Sequence, residues 1–155
     1  MQQARPPAEK SAVVREFVFA GEMAAMIAAR DEVMDFLSGQ GVSEEEEIDI
    51  LVALQEAFSN AVIHGCGTDC TKTITCTVEV DPTEINIVVR DPGAGFDTSS
   101  GSHCAEDGTN LSQHGRGIAL MRSLMDEIRY TRGGSELHMK KLRAQTPEVS
   151  ASGEA

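Results

Sequence analysis

Residues 56–65 carry three polar side chains along one face of a helical pattern, and this feature restricts the possible folds most strongly. Glu56, Asn60 and His64 are spaced four residues apart, so in a helix they share one face. The helix that contains this stretch also carries an apolar stripe that we expect to be buried, made of Leu51, Leu54, Phe58 and Val62. Polar groups beside a buried stripe need partners other than bulk water, and a bound metal-phosphate group would supply them. The alternative is a helix whose polar edge is simply solvated.

The first of two glycine-rich segments, residues 91–97, follows a run of alternating apolar residues. The alternation predicts a strand, and Asp91 then lies at the end of that strand. Gly93 and Gly95 predict a tight loop with an exposed backbone. This segment alone is also typical of an ordinary turn.

The second glycine-rich segment, residues 114–121, places Gly115 and Gly117 at the start of a helical pattern that includes Ile118 and Met121. Unpaired amides and the positive end of the helix dipole favour an anion at such a position. The glycines would let a phosphate group approach the backbone closely. A glycine pair alone is again weak evidence for this function.

Taken together and in this order, the three segments resemble the GHKL ATPase superfamily, which has an asparagine-bearing helix, then Asp-x-Gly-x-Gly, then Gly-x-Gly at a helix start. Within it, the chain is most similar to the anti-sigma-factor serine/threonine kinases. Residues 125–141 resemble the last strand pair of that family, whose second strand is opened by a Gly-Thr dipeptide. Here the dipeptide is Gly134-Ser135, which keeps the hydroxyl. The resemblance covers roughly residues 13–142.

This resemblance implies an α/β two-layer sandwich, with a mixed, mostly antiparallel sheet and helices on one face (the GHKL or Bergerat-type fold). It also implies ATP and Mg²⁺ as cofactors. Asn60 resembles the magnesium ligand, and Glu56 resembles the catalytic carboxylate that orients and deprotonates an acceptor hydroxyl. Asp91 resembles the acceptor for the adenine amino group, a role that suits a carboxylate and disfavours guanine.

The other nucleotide contacts implied by the resemblance involve the glycine segments and the start of the last strand. They are Gly93, Gly95, Gly115, Arg116, Gly117 and Ser135. The first two would lie near the base and sugar, the next three would form the phosphate cradle, and Ser135 would lie near the adenine. Arg116 is equally typical of a surface cation. His64 is equally typical of a packed or solvated histidine at a helix end.

The function implied is that of a serine/threonine kinase that phosphorylates an anti-sigma-factor antagonist of STAS type and sequesters a sigma factor in its other partnership. The resemblance also suggests a homodimer. One alternative is a module that binds ATP and captures a partner without phosphorylating it, although Glu56 argues against this. Another is the ATPase domain of a sensor histidine kinase, but no dimerising helical hairpin with a phosphoacceptor histidine precedes the first helix.

Composition agrees with one soluble domain and narrows the choice of partner. The chain has 155 residues, of which 41% are hydrophobic, and a formal net charge of −12. This charge opposes binding to nucleic acid or to an anionic membrane and favours a basic protein partner. Without an apolar run of membrane-spanning length or a signal peptide, we expect a cytoplasmic protein.

The four cysteines are expected to be reduced in that compartment. Cys76 alternates with apolar residues of a strand and is expected in the core. Cys66 and Cys70, with His64 nearby, offer a zinc site in principle, but a matching second ligand pair is missing from the pattern. We therefore expect Cys66 and Cys70 to be loop thiols, while Cys104 falls in the polar stretch between the two glycine-rich segments.

The order of the elements predicts a single ATP-binding kinase domain over residues 12–142. Strands are expected at 12–20, 72–80 and 84–90, and a helix is expected at 22–37. Ser43 and Glu46 predict a capping box at the start of the second helix. Residues 1–11 are expected to be flexible, residues 97–114 to form a mobile lid, and residues 143–155 to be a disordered tail.

Overall fold

The computed structural model describes residues 12–93 and 113–144, so Gly95 and nearly all of the predicted lid lie outside the described residues. The chain order alternates helices and strands much as the sequence predicts. The elements are β1 (Val13–Ala20), α1 (Met23–Ser38), α2 (Glu44–Asn60), a π-helical turn (Ala61–Gly65), β2 (Thr73–Val80), β3 (Glu84–Arg90), α3 (Gln113–Leu124), β4 (Glu127–Thr131), a 3₁₀ turn (Arg132–Gly134) and β5 (Glu136–Leu142).

The strands form one sheet with the order β1-β2-β3-β5-β4. All pairings among these described strands are antiparallel, so the sheet is simpler than the mixed sheet that the resemblance implied. In β2 and β3 every second residue is buried, which is the pattern of a sheet covered on one face only. The result is the expected two-layer α/β sandwich.

The core lies between the covered face of the sheet and the helices. The Phe19 ring of β1 packs against the Phe58 ring of α2, with 4.8 Å between their centroids. Met26 of α1 and Met121 of α3 are fully buried in the same cluster. The two helices on either side of α2 therefore share one hydrophobic core with it, and this fixes the position of α2 on the sheet.

Leu51 is the one member of the predicted apolar stripe that is not buried, with 37% of its surface exposed. The buried side of α2 is centred on Ile50, Ala53, Leu54 and Ala57, so Leu51 lies about 100° around the helix axis from Ile50. Leu51 instead lines an open groove between α1 and α2. The helical period was predicted correctly, but its phase was wrong at this position.

The start of α2 has the capping box that the sequence predicts. The Glu46 amide donates to the Ser43 hydroxyl at 3.2 Å, and the Ser43 amide donates to the Glu46 carboxylate at 3.1 Å. Such a cap contributes about 1 kcal/mol. Glu46 also accepts a hydrogen bond from the amide of Ala144 at 2.6 Å, so residues assigned to the tail contact the domain.

Within the part of the chain that the structure describes, no helix combines the length and the apolar character that crossing a membrane requires.

Candidate functional site

The last turns of α2 carry Glu56 and Asn60, and the helix then widens into the π-helical turn. In this turn the amide of Cys66 donates to the carbonyl of Ala61 at 2.9 Å, one residue farther back than in an α-helix. π-Helical turns inside helices are rare and occur frequently at functional sites. The turn brings His64 and Gly65 to a cavity at the end of β3.

This first cavity, which we call the base cavity, lies between the end of α2, the end of β3 and the β4–β5 hairpin. It is open to solvent, and the empty space in it and at its mouth together amounts to about 410 Å³. Its apolar wall includes Ala57, Val89 and Leu137, and its polar groups include Asn60, Asp91 and Ser135. A mostly apolar cleft with a few convergent polar groups is the usual form of a small-molecule site. The structure thus brings together Asn60, Asp91 and Ser135, which are distant in sequence.

Asp91 follows β3 directly, and its backbone and side chain are both fixed. Its amide donates to the Ser135 carbonyl at 3.0 Å, and one carboxylate oxygen accepts from the Gly93 amide at 2.8 Å. Burial raises the pKa of the Asp91 carboxyl, and the hydrogen bond from Gly93 offsets part of this effect. The aspartate therefore presents an oriented, partly desolvated carboxylate to the base cavity.

Gly65 allows Asp91 to reach this position. A Cβ atom at residue 65 would lie 2.5 Å from Oδ1 of Asp91, closer than real contacts permit. Sequence reasoning missed this role, although Gly65 directly follows the polar stripe of α2. It also missed Tyr130, the only tyrosine in the chain, which lines the base cavity from β4. Burial raises the pKa of Tyr130 to about 12.

A second cleft adjoins the base cavity and lies between α2 and α3. Its lining includes Glu56, Asn60, Ile63, Arg116, Gly117 and Leu120. We call it the transfer cleft. Asn60 and His64 line both the base cavity and the transfer cleft, so the two spaces meet at these side chains.

Gly117 brings α3 against the polar residues of α2. A Cβ atom at this position would lie 2.7 Å from Oε2 of Glu56 and 3.6 Å from Nδ2 of Asn60. With Glu56 in this position, a side chain at residue 117 would clash with its carboxylate, so the glycine lets α3 pack closely on the polar residues of α2. Gly115 lies in the same helix, and Arg116 is exposed at the rim of the transfer cleft.

Asn60 holds a buried polar atom that has no hydrogen-bond partner among the described residues. This atom is Nδ2 of the side-chain amide. An unsatisfied buried polar group costs about 1–3 kcal/mol, so a hydrogen-bond partner that reaches this amide from either cleft would be favoured. A rotation of the amide plane would present the oxygen instead, which is a ligand that hard cations accept.

Ser135 is buried, and its hydroxyl donates to the carbonyl of Arg132 at 3.0 Å. Its side chain therefore stabilises the β4–β5 turn, while its carbonyl holds Asp91. Among the described residues, no group of three or more His, Cys, Asp or Glu side chains is arranged to hold a metal ion. Cys66 and Cys76 are buried and Cys70 is exposed, and burial raises the pKa of Cys76 to about 12.

The sheet, the helices on one of its faces and the two adjoining clefts define the class of the protein as an α/β two-layer sandwich domain with a candidate small-molecule site. Residues 19–141 match the family described as Histidine kinase-like ATPase domain. The chain belongs to this family.

Relatives within the family carry two kinds of name. The chain is 30% identical over 118 residues to an anti-sigma F factor of Clostridium novyi, covering 73% of this chain and 82% of the relative. It is 33% identical over 124 residues to the anti-sigma F factor of Pasteuria penetrans, covering 75% and 82%. It is 34% identical over 98 residues to the serine-protein kinase RsbW of Bacillus licheniformis, covering 59% and 61%.

A solved structure has the same fold. It contains the RsbU and RsbW domains of a Mycobacterium tuberculosis protein and superposes with a TM-score of 0.59 at 19% identity. The match covers 84% of this chain, which spans 31% of the solved chain. At this identity, the likeness supports the fold alone.

Proposed function

We propose that this protein is an ATP-dependent anti-sigma factor and protein serine/threonine kinase, which phosphorylates an anti-sigma-factor antagonist and sequesters a sigma factor. The proposal is supported by the family and by relatives named as anti-sigma F factors and as a serine-protein kinase. The observation that carries it is the buried, unpartnered amide of Asn60 at the junction of two clefts. One cleft suits a base, and the other suits phosphates.

The base cavity would hold adenine against Asp91. A carboxylate only accepts hydrogen bonds, so Asp91 would accept one from the adenine amino group. Gly65 leaves the space for the aspartate, and the hydrogen bond from Gly93 fixes its orientation. Guanine has a carbonyl oxygen at the corresponding position, and a second acceptor there would face the carboxylate.

The transfer cleft would hold the phosphates, because the start of α3 lies beside it. Arg116 and the backbone around Gly117 would contact the phosphate oxygens. Asn60 would hold a magnesium ion together with those oxygens and water, which fits a carboxamide flanked by the carboxylate of Glu56. When bound, magnesium neutralises charge on the phosphates.

Glu56 would act on the acceptor hydroxyl. In the proposed reaction, the serine or threonine oxygen bonds to the γ-phosphorus of ATP while the bond to the β–γ bridging oxygen breaks. The hydroxyl proton passes to Glu56, and the products are ADP and a phosphoprotein. Phosphoryl transfer depends mainly on positioning and electrostatics, so orientation of the hydroxyl by Glu56 contributes along with its basicity.

The acceptor segment of the antagonist would enter between two exposed apolar side chains of the transfer cleft. Ile63 is 44% exposed on the α2 side, and Leu120 is 39% exposed on the α3 side. These side chains flank the cleft that contains Glu56. We therefore propose that the hydroxyl-bearing residue of the antagonist has apolar neighbours that pack on Ile63 and Leu120.

The finer features of the partnership belong to the same proposal. The antagonist would be of STAS type, and the kinase would work as a cytoplasmic homodimer. The net charge of −12 suits partners with basic contact surfaces.

The test replaces Glu56 by its near-isosteric amide. Glu56→Gln is expected to keep ATP affinity and antagonist capture but to lose most of the transfer of labelled phosphate from ATP in magnesium. Glu45→Gln, which removes the same charge from the exposed first turn of α2, is the matched control and should transfer at the parental rate. Capture without transfer by the parent protein would instead favour the binding module, and transfer by Glu56→Gln at the parental rate would exclude Glu56 from the mechanism.

A further inference from the structure

A buried carboxylate lies behind the base cavity, on the opposite side of the sheet. Ser135 and Leu137 line the cavity, and Glu136 between them faces away from it because side chains alternate along a strand. Only 8% of the surface of Glu136 is exposed. In the sheet register, Glu136 pairs with Arg90 of β3 on one side and with Thr131 of β4 on the other.

Both oxygens of Glu136 accept from neighbouring donors. Oε2 lies 2.6 Å from Nε of Arg90 and 3.3 Å from Nε of Arg132. Oε1 lies 2.7 Å from Nε2 of His138 and 3.2 Å from the hydroxyl of Thr131. Burial raises the pKa of Glu136, but the hydrogen bonds from Arg90, His138 and Thr131 and the charge of Arg90 together outweigh burial and lower it. The carboxylate is therefore ionised at neutral pH.

The turn at residues 132–134, which Glu136 contacts through Arg132, has an unusual backbone conformation. Arg132, Gly133 and Gly134 have φ angles of 52°, 67° and 105°, all in the left-handed region. This conformation suits glycine but is unfavourable for arginine. The contact between the Arg132 guanidinium and Glu136 connects this turn to the start of β5.

The same turn fixes the wall of the base cavity. The Arg132 carbonyl accepts the hydroxyl of Ser135, and the Ser135 carbonyl accepts the amide of Asp91. Arg90, which precedes Asp91, is bound to Glu136 directly. Glu136 thus contacts both segments whose junction positions the adenine acceptor.

We propose that Glu136 is a positioning residue for adenine recognition, which holds Arg90 and the turn at residues 132–135 together from the far side of the sheet. This inference rests on the proposed function, because it assumes that the base cavity takes adenine. No atom of Glu136 needs to touch the nucleotide. Its carboxylate acts through Asp91 and Ser135.

The experiment compares Glu136→Gln with Glu84→Gln in the full-length protein. Glu84 is half-buried on the same face of the sheet but at the far end of β3, near Lys140. Its replacement removes the same charge. Glu136→Gln is expected to raise the Kd for ADP and ATP by the same factor of about tenfold, and Glu84→Gln should leave both unchanged. Transfer by Glu136→Gln should show a raised KM for ATP with an unchanged kcat, because the transfer cleft is intact.

A second measurement needs no nucleotide. Hydrogen exchange of the Asp91 amide, followed by NMR in the free protein, should be faster in Glu136→Gln than in the parent or in Glu84→Gln. Arg90→Gln removes the shortest contact of Glu136 at a half-exposed side chain and should change ADP affinity in the same direction. If Glu136→Gln does not fold, the ADP affinity of Arg90→Gln tests whether Glu136 positions the adenine site.

Several results would overturn the proposal. They are parental ADP affinity in folded Glu136→Gln, an equal loss in Glu84→Gln, or a fall in kcat without a change in KM. If the parent binds no adenine nucleotide, the proposed function fails, but the exchange rate of the Asp91 amide still reports whether Glu136 holds the turn. Parental exchange in both Glu136→Gln and Arg90→Gln would exclude the positioning role.

Discussion

Replacing Gly117 by alanine is expected to separate stability from catalysis. The new Cβ would lie 2.7 Å from Oε2 of Glu56, about 0.7 Å short of the 3.4 Å at which ordinary contact begins. Oε2 is the end of a flexible side chain, so rotation of Glu56 relieves the clash at a cost of about 0.5–1.5 kcal/mol. Alanine in a helix regains about 1 kcal/mol over glycine, so unfolding free energy should change little. The Glu56 carboxylate, which we propose to act on the acceptor hydroxyl, would however move by a large part of an ångström.

A displacement of this size should reduce phosphate transfer about a hundredfold, because the acceptor hydroxyl must be aligned within tight limits. The assay is transfer from labelled ATP to the antagonist, beside urea unfolding and ATP affinity for the same protein. Gly39→Ala is the control, because Gly39 has a right-handed φ of −70° and a Cβ there would lie 3.4 Å from the nearest atom. It should leave transfer unchanged.

A double mutant tests whether Gly117→Ala acts through Glu56. In the Glu56→Gln background, the alanine should have little further effect on transfer, because the carboxylate it displaces is already absent. Two outcomes would refute the reasoning. One is parental transfer by a stable Gly117→Ala protein, and the other is a full additional loss of transfer in the double mutant.

Three further predictions follow from the site. Asp91→Asn should reduce the preference for ATP over GTP, because the amide offers a donor where an acceptor is needed; competition binding would measure this, and an unchanged preference would contradict the role of Asp91. Ile63→Ser and Leu120→Ser should each raise the KM for the antagonist several-fold without changing ATP affinity, since each removes an apolar contact of about 1–2 kcal/mol. In the control Ile48→Ser, at a residue exposed elsewhere on α2, both the KM for the antagonist and the ATP affinity should stay at the parental values. Because the folded-state pKa of Glu136 is lowered, its contribution to stability is present above the unfolded-state pKa and is lost as pH falls through the folded-state pKa; urea unfolding of Glu136→Gln should differ from the parent near neutral pH and converge with it in acid.

Much of the secondary structure could be predicted from the sequence because it depends on local chemistry. The capping box of Ser43 and Glu46 and the alternation in β2 and β3 lie within a few residues, and both were confirmed. The phase of α2 depends on how the helix rotates against the sheet and α1, which local spacing does not determine. That is why Leu51 was expected in the core and lies in a groove.

In the candidate site too, residues within a local motif could be predicted, and residues whose roles depend on distant partners could not. Asn60, Asp91 and Ser135 were selected by motif, and the structure places all three around one cavity. Gly65 and Glu136 were not selected, because their roles depend on partners 26 and 46 residues away, Asp91 and Arg90. Neither has a local pattern that distinguishes it from an ordinary helix-end glycine or strand glutamate.

Because Asn60 lies between the two clefts, the proposed site would favour a ligand that fills both clefts at once. One amide would report on both the base and the phosphate end of a ligand, so the two halves of a nucleotide should bind more favourably together than the sum of the separate halves. A cell contains many adenine-bearing molecules and many polyphosphates that lack adenine. A shared contact makes the affinity for each fragment a poor guide to the affinity for the whole, and it favours the molecule that supplies both ends at once.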